Sequence, residues 1–349
     1  MTSIAAVHGV TPENRFPQQE ITNAVAQACL PPNADRRLLD RLHTSATVQF
    51  RNLVLPLEAY EQVDGFGAVN RIFIEAGQEL AATALKGALA EAEIRPTDID
   101  MIMCASVTGI AAPSLDARLV GRMGMRPDVR RVPIFGLGCV AGVAGLARVS
   151  DYLRGWQDHT AVLLCVELCS LTVQRGDSSP ANLVASGLFS DGAAAVVLRG
   201  AACQRRGPQV LGTVSHLYPD TEQVMGWEVT NTGLKVVLDA SVPQVVRTHL
   251  ANDVEQFLAQ HGLSTSDIGQ WVCHAGGPKV LKAVAESLNL DDAVLARSWK
   301  SLADNGNMSS VSVLHVLQDT MREETPAGTY GLMIAMGPGF CSELVLLRW

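Results

Sequence analysis

The second half of the chain repeats the first half in outline. The segment IRPTDIDMIMCA at 94–105 matches LSTSDIGQWVCHA at 263–275, since each joins a helix end, a turn with Asp-Ile and an apolar run ending near cysteine. LGCVAG around Cys139 matches NGNMSS around Asn307 in the same order. Residue 94 corresponds to 263 and residue 139 to 307, which are offsets of 169 and 168. We therefore predict an internal duplication.

The pattern of apolar segments predicts an α/β protein. Continuous apolar runs such as 100–107 are typical of strands that are buried on both faces. Helical runs alternate with these strands along the chain, which is the pattern of an α/β fold with buried sheets. The 349 residues suffice for one large or two medium domains. We predict two halves, 1–200 carrying the nucleophilic cysteine and 201–349 carrying a histidine and an asparagine.

Composition excludes several classes of function. A net charge of −8 argues against a nucleic-acid-binding protein. The uncharged stretch 132–147 is shorter than a membrane span, and no signal peptide is visible. Cys165 and Cys169 are spaced like a metal-binding pair, but no second pair completes a site. We expect a cytoplasmic protein with reduced thiols and no metal.

The segment GLGCVAG places a single cysteine in a glycine-rich turn. Residues 132–135 before it predict a short buried strand, and the run after Val140 predicts a helix. Cys139 would then lie at a helix N-terminus, where backbone N–H groups favour a thiolate with a pKa below the free value of about 8.5. Gly136 and Gly138 would let a substrate approach closely. The competing interpretation is an inert cysteine in the core.

His274 and Asn307 are the predicted partners of this cysteine. A pseudo-twofold axis relating the halves would bring Cys139 and Asn307 to equivalent helix starts, with His274 at the end of a nearby strand. An imidazole activates a thiol, and a carboxamide can stabilise an oxyanion without carrying charge. Alternatively, His274 is a satisfied core histidine and Asn307 an ordinary turn residue.

Four motifs together resemble the type III polyketide synthases, the chalcone-synthase-like branch of the thiolase fold; they are GLGCVAG, HAGGPK at 274–279, GNMSS at 306–310 and GPGFCSE at 337–343. LFSDGAAA at 188–195 is similar to the same family. The resemblance implies a thiolase-like, five-layered αβαβα fold and a homodimer. It also implies decarboxylative condensation of an acyl-CoA with malonyl-CoA, without a carrier protein and without a cofactor.

The resemblance also assigns roles to residues. Cys139 would carry the starter acyl group and the growing chain. His274 and Asn307 would promote decarboxylation of malonyl-CoA and stabilise the enolate. Phe189 matches the gatekeeper phenylalanine between the CoA tunnel and the cavity.

Several pocket positions depart from the plant pattern. Val236 replaces a second gatekeeper phenylalanine, Ala112 replaces a methionine that crosses into the partner's cavity, and Val173 falls near a cavity threonine. Trp227 would narrow one side of the cavity; Val107 and Ser309 complete the predicted pocket. Because these replacements leave a more apolar pocket, we expect an aliphatic starter of medium or long chain and alkylpyrone products.

Basic residues mark the expected CoA entrance. The resemblance implies Lys or Arg side chains on an early helix, which Arg36, Arg37 and Arg41 would supply, with Lys279 beyond the glycine turn. The alternative is a solvated helix face without a ligand.

Three rival functions remain open from the sequence. A ketoacyl-ACP synthase III-like enzyme of fatty-acid or secondary metabolism can use the same Cys-His-Asn trio. A papain-like protease has the same residue order but needs CGSCW around its cysteine, which is missing here. A non-catalytic relative would not need the complete trio.

Overall fold

The computed structural model describes residues 1–349, except for the side chain of Asp292. Its strands are β1 (Ser3–Val10), β2 (Asn14–Pro17), β3 (Phe50–Leu53), β4 (Met101–Ala105), β5 (Arg130–Ile134), β6 (Thr160–Leu168), β7 (Asp191–Arg199), β8 (Gln209–Leu217), β9 (Met225–Thr230), β10 (Gly233–Leu238), β11 (Ile268–Cys273), β12 (Tyr330–Gly337) and β13 (Cys341–Arg348). Its helices are α1 (Gln18–Cys29), α2 (Arg37–Ser45), α3 (Gly65–Ala92), α4 (Leu115–Met123), α5 (Ala141–Gly155), α6 (Pro180–Leu188), α7 (Val242–Ala259), α8 (Pro278–Leu288), α9 (Ala296–Asn305) and α10 (Ser312–Arg322).

Nine strands form one sheet in the order β11-β12-β13-β8-β1-β7-β6-β4-β5. From β1 outwards the pairings run antiparallel to β7, antiparallel to β6 and parallel to β4. From β8 outwards they run antiparallel to β13, antiparallel to β12 and parallel to β11. The two halves of the chain thus build half-sheets of the same topology, and β1 joins β8 where Ser3 pairs with Gln209.

Helices cover both faces of each half-sheet and create five layers. The middle layer is α5 with α10, whose side chains Val143, Leu146, Val313 and Leu317 share one core cluster with strands of both half-sheets. α3 covers the outer face of the first half-sheet. α7 and α8 cover the outer face of the second half-sheet. Because both faces are covered, every residue of β4 and β6 is buried, as their continuous apolar sequences predict.

The structure corrects one prediction beside the nucleophile. Residues 132–135 were expected to form a buried strand, but β5 is an exposed strand at the edge of the sheet, next to β4. Phe135 is 54% exposed and Val132 38% exposed. Ile134, the last residue of β5, is half-buried and packs against the core. None of the ten helices in the described chain combines the length and apolar character that crossing a bilayer requires.

Gly142 sets how closely the two middle helices approach. A Cβ atom at Gly142 would lie 2.4 Å from the carbonyl oxygen of Ser310 and 2.6 Å from Cγ1 of Val313. Neither the backbone oxygen nor a core valine can move away freely. α5 can therefore lie against the start of α10 only with glycine at this position.

We expect Gly142→Ala to lower the free energy of unfolding by about 1–3 kcal/mol, the usual cost of overpacking a core. The matched control is Gly121→Ala in α4, where an added Cβ would meet no atom within 4 Å. That change should be neutral or slightly stabilising, because alanine favours the helix. Urea denaturation of both variants measures the difference, and equal stability would show that the helix contact tolerates a side chain.

Candidate active site

Cys139 lies between β5 and α5, in a single 3-10 turn that spans Gly138–Val140. The backbone φ angles of Gly136 (+101°) and Gly138 (+56°) lie in the region that side chains disfavour. A Cβ at Gly138 would also approach Cγ of Pro338 to 2.8 Å. The two glycines are therefore needed to fold the turn that carries the thiol. Cys139, in the middle of this turn, is buried.

His274 follows the last residue of β11, as the sequence predicts. Its backbone N–H donates to the carbonyl of Ile334 on β12 at 2.9 Å, which anchors the residue to the sheet. Its ring is buried, and neither ring nitrogen has a hydrogen-bond partner among the described residues. Burial lowers the pKa of His274 to about 4, so the ring is neutral at physiological pH and has one N–H to donate.

Asn307 is fixed by both its backbone and its side chain. Its backbone N–H donates to the carbonyl of Leu188, and its carbonyl accepts from the backbone N–H of Ser190, both at 2.8 Å. This pair of bonds also holds Phe189 beside Asn307. Its Oδ1 accepts from the backbone N–H of Ser309 at 2.8 Å, and Nδ2 donates to the carbonyl of Gly276 at 3.1 Å. These bonds define which end of the amide is nitrogen and leave one Nδ2 hydrogen without a protein acceptor.

The three side chains line one cavity of about 260 Å³. Phe189, Lys279 and Phe340 contribute to the same walls. The structure thus brings together the thiol, the imidazole and the carboxamide that the duplication predicted to meet, although Cys139 precedes the other two residues by more than a hundred positions.

A smaller inner chamber of about 30 Å³ continues from Cys139 and Phe189. Four predicted pocket residues line it, namely Val107, Trp227, Val236 and Ser309. Cys169 also lines it, a residue that the sequence analysis considered only as a metal-site candidate. The chamber is narrow, because its volume is close to the volume of about 30 Å³ that one molecule occupies in liquid water.

Two predicted pocket residues lie elsewhere. Val173 lines a separate cavity of about 150 Å³ behind the turn Cys169–Thr172, so its place in the substrate pocket stays a prediction. Cys169 at the start of that turn faces the chamber instead. Ala112 is exposed and belongs to none of the cavities described here. Its role in a partner's cavity stays a prediction.

The predicted CoA-binding arginines do not converge on the cavity. Arg36 donates to Asp40 and Asn23 and lines an open polar cleft on the other side of α2. Arg37 pairs with Asp35 in solvent. Lys279 is the one member of the predicted basic set that lines the catalytic cavity, beside α2 residues Leu42 and Ser45. Arg41 is exposed on α2.

Burial raises the pKa of Cys139 to about 12, and the Ser309 hydroxyl offsets only part of this effect. Burial thus opposes a low pKa for the Cys139 thiol, because the loss of solvent outweighs the helix N-terminus. The expected acidic thiol also depends on His274 and stays a prediction. Burial favours the neutral forms of both Cys139 and His274. Only transfer of the thiol proton to the imidazole yields a charged pair with no net charge, and this requires the two groups to be in contact.

Glu167 is a site residue that the sequence analysis missed. It is fully buried on β6 and accepts hydrogen bonds from Ser310 at 2.7 Å and Ser309 at 3.3 Å through Oε1, and from Thr108 at 3.1 Å through Oε2. Burial raises its pKa to about 7. It ties Ser309, a wall of the inner chamber, to the segment after β4. Its sequence context, CVELC, resembles an ordinary strand and gave no signal.

The arrangement can perform acyl transfer. A buried thiol provides the nucleophile, a neutral imidazole can take its proton, and the imidazole and the free Nδ2 hydrogen can stabilise an oxyanion. Among the described residues, no group of three or more His, Cys, Asp or Glu side chains is placed to hold a metal ion.

Comparison with known proteins agrees with this chemistry. Residues 209–349 match the family model for the C-terminal domain of chalcone and stilbene synthases, and residues 61–211 match that for FAE1/type III polyketide synthase-like proteins. A 1,3,6,8-tetrahydroxynaphthalene synthase of Streptomyces peucetius subsp. caesius is 57% identical over 100% of this chain and 93% of its own. The alpha-pyrone synthesis polyketide synthase-like Pks18 of Mycobacterium tuberculosis is 30% identical over 99% of this chain and 91% of its own.

A solved structure agrees as well. The crystal structure of 1,3,6,8-tetrahydroxynaphthalene synthase from Streptomyces coelicolor superposes with a TM-score of 0.94 at 30% identity and covers 99% of each chain. The chain belongs to the type III polyketide synthases and has their thiolase-like fold. It is an acyltransferase of the condensing type, which separates it from the protease and the non-catalytic relative considered from the sequence.

We expect His274→Gln to shift alkylation of Cys139 by iodoacetamide to higher pH. Without the imidazole, burial alone raises the pKa of the Cys139 thiol, so the alkylation rate should still be rising with pH above pH 8.5. In the wild type, contact between the two groups should place the inflection lower. The rate is followed by mass spectrometry of the Cys139 peptide, because the chain has eight free cysteines. The same profile in both proteins would show that His274 does not take the thiol proton.

Proposed function

We propose that the enzyme makes 1,3,6,8-tetrahydroxynaphthalene from malonyl-CoA alone. The supporting observation is 57% identity, over the whole chain, to a synthase of that name. The alternating oxygens of this product fit a chain of five two-carbon units. Five malonyl-CoA then yield one tetrahydroxynaphthalene, five CO₂, five CoA and one water, with all atoms balanced.

The proposed reaction begins with acyl transfer from CoA to Sγ of Cys139, as His274 takes the thiol proton. A second malonyl-CoA then places its thioester oxygen between the imidazole N–H and Nδ2 of Asn307. Loss of CO₂ leaves an enolate whose negative oxygen these two donors stabilise. The enolate carbon attacks the Cys139 thioester, the thiolate leaves, and the lengthened chain returns from CoA to Cys139 for the next cycle.

The inner chamber favours a small starter over a long one. Trp227 and Met225 line this chamber, whose volume is about 30 Å³. The preference for an aliphatic starter of medium or long chain, with alkylpyrone products, stays a prediction. Its basis is the apolar character of Val107 and Val236 and the likeness to the alpha-pyrone relative.

The proposal includes a cytoplasmic homodimer that needs no cofactor besides its CoA thioester substrates. The exposed edge strand β5 supports the dimer, because Val132 on it and Phe135 directly after it present apolar side chains to solvent, as does Ile110 after β4. Eight free cysteines support a reducing compartment. Lys279 on the cavity wall and Arg41 on α2 would meet the phosphates of CoA.

The purified enzyme should convert malonyl-CoA alone into tetrahydroxynaphthalene. We would identify the product anaerobically by mass spectrometry, because a polyhydroxylated aromatic oxidises in air. Competing starters, acetyl-, hexanoyl-, lauroyl- and 4-coumaroyl-CoA, should be incorporated less well than malonyl-CoA. Preferred incorporation of lauroyl-CoA into pyrones would overturn the proposal in favour of the alkylpyrone prediction. A requirement for malonyl-ACP would favour a carrier-protein-dependent condensing enzyme.

Val236→Phe should shorten the product, because the larger ring fills the inner chamber. We expect tetrahydroxynaphthalene to be replaced by shorter pyrones released by lactonisation. Val237→Phe is the matched control, since the neighbouring side chain on β10 points to the opposite face of the strand and lines neither the cavity nor the chamber. An unchanged product ratio in Val236→Phe, measured by liquid chromatography, would show that this chamber does not hold the growing chain.

A further inference from the structure

The loop between β12 and β13 forms a wall shared by the nucleophile and the cavity. Phe340 lines the cavity that contains Cys139 and His274. Pro338 lines the inner chamber and leaves no space for a side chain at Gly138. A Cβ at Gly337 would lie 3.4 Å from Cβ of Cys139. The position of this loop therefore determines the space available around the thiol.

Two residues outside the cavity hold Phe340 by its backbone. The N–H of Tyr218 donates to the carbonyl of Phe340 at 2.9 Å. The N–H of Phe340 donates to Oγ1 of Thr221 at 2.6 Å, and the same hydroxyl donates to the carbonyl of Tyr218, also at 2.6 Å. Both polar groups of the Phe340 backbone are thus bonded to one short segment, Tyr218–Thr221, that follows β8.

A buried carboxylate fixes that segment in turn. The hydroxyl of Tyr218 donates to Asp253 on α7, and Ser342 donates to Oδ2 of the same carboxylate at 3.0 Å. Nδ1 of His216 lies 2.9 Å from its Oδ1. The ring of Tyr218 stacks on that of His249, with centroids 4.3 Å apart. Tyr218 and Asp253 are both buried, so this network has few alternative arrangements.

We propose that Thr221, Tyr218 and Asp253 form a clamp that positions Phe340 and thereby sets how far the polyketide chain grows before release. None of the three lines the cavity or the inner chamber, so they are positioning residues that act through Phe340 and Pro338. The part of this inference that concerns chain length rests on the proposed function. The part that concerns access to Cys139 does not.

Thr221→Val tests the clamp, because it removes the hydroxyl while keeping the shape of the side chain. Releasing Phe340 should raise the share of shortened products by about threefold or more, as expected for loss of a buried hydrogen bond. It should also raise the ratio of Cys139 alkylation by bulky N-ethylmaleimide to that by small iodoacetamide by a similar factor. Thr221→Ser restores the hydroxyl and should return both ratios towards wild type.

The matched control is Thr83→Val on α3, where the lost hydroxyl bonds one backbone carbonyl far from the site. If Thr221→Val does not fold, Tyr218→Phe removes only the bond to Asp253 and should move both ratios in the same direction. The clamp would be overturned if the folded Thr221 and Tyr218 variants gave the same product ratio and the same alkylation ratio as Thr83→Val. Failure of the wild type to make any polyketide would refute the proposed function instead, and the alkylation ratio would then decide on the clamp.

Discussion

The active site depends on the close packing of α5 against α10 in the middle of the molecule. With Gly142 against the carbonyl of Ser310, the 3-10 turns that precede the two helices contact each other. One turn carries Cys139, and the other begins two residues after Asn307. Duplication supplies two equivalent helix starts, and the absence of a side chain at one glycine lets them meet. The outer layers then bury the resulting pair.

Burial gives this site its chemistry at a cost in stability. Both ring nitrogens of His274 and one Nδ2 hydrogen of Asn307 face a cavity without a protein partner, an arrangement that is unfavourable for folding. The same lack of partners leaves neutral donors ready for a developing oxyanion in a low-dielectric space. Because these donors carry no positive charge, they do not stabilise a thiolate, and burial favours the neutral thiol. Activation of Cys139 therefore requires contact with the imidazole.

The sequence predicted that Cys139, His274 and Asn307 would meet, and it predicted most elements, because these features follow from patterns that repeat. The offset between the halves located Asn307 opposite Cys139, and continuous apolar runs located the buried strands. It did not predict the β9–β10 hairpin, α4 or α9, which lack a buried apolar run. Val173 lines a different cavity from the other predicted pocket residues, because a turn of four residues separates the two cavities. Glu167 and Cys169 were missed because the sequence of a buried strand does not reveal which polar side chains face a chamber.

The central claim is that His274 and Asn307 stabilise an enolate independently of the thiol. Cys139→Ala provides the most direct test, measured as conversion of malonyl-CoA to acetyl-CoA and CO₂. This variant should still decarboxylate malonyl-CoA, although it cannot condense it. Adding Asn307→Ala should then lower the rate by about 10²–10³-fold, the usual effect of removing an oxyanion donor. Equal decarboxylation with and without Asn307, or none in Cys139→Ala, would contradict the account.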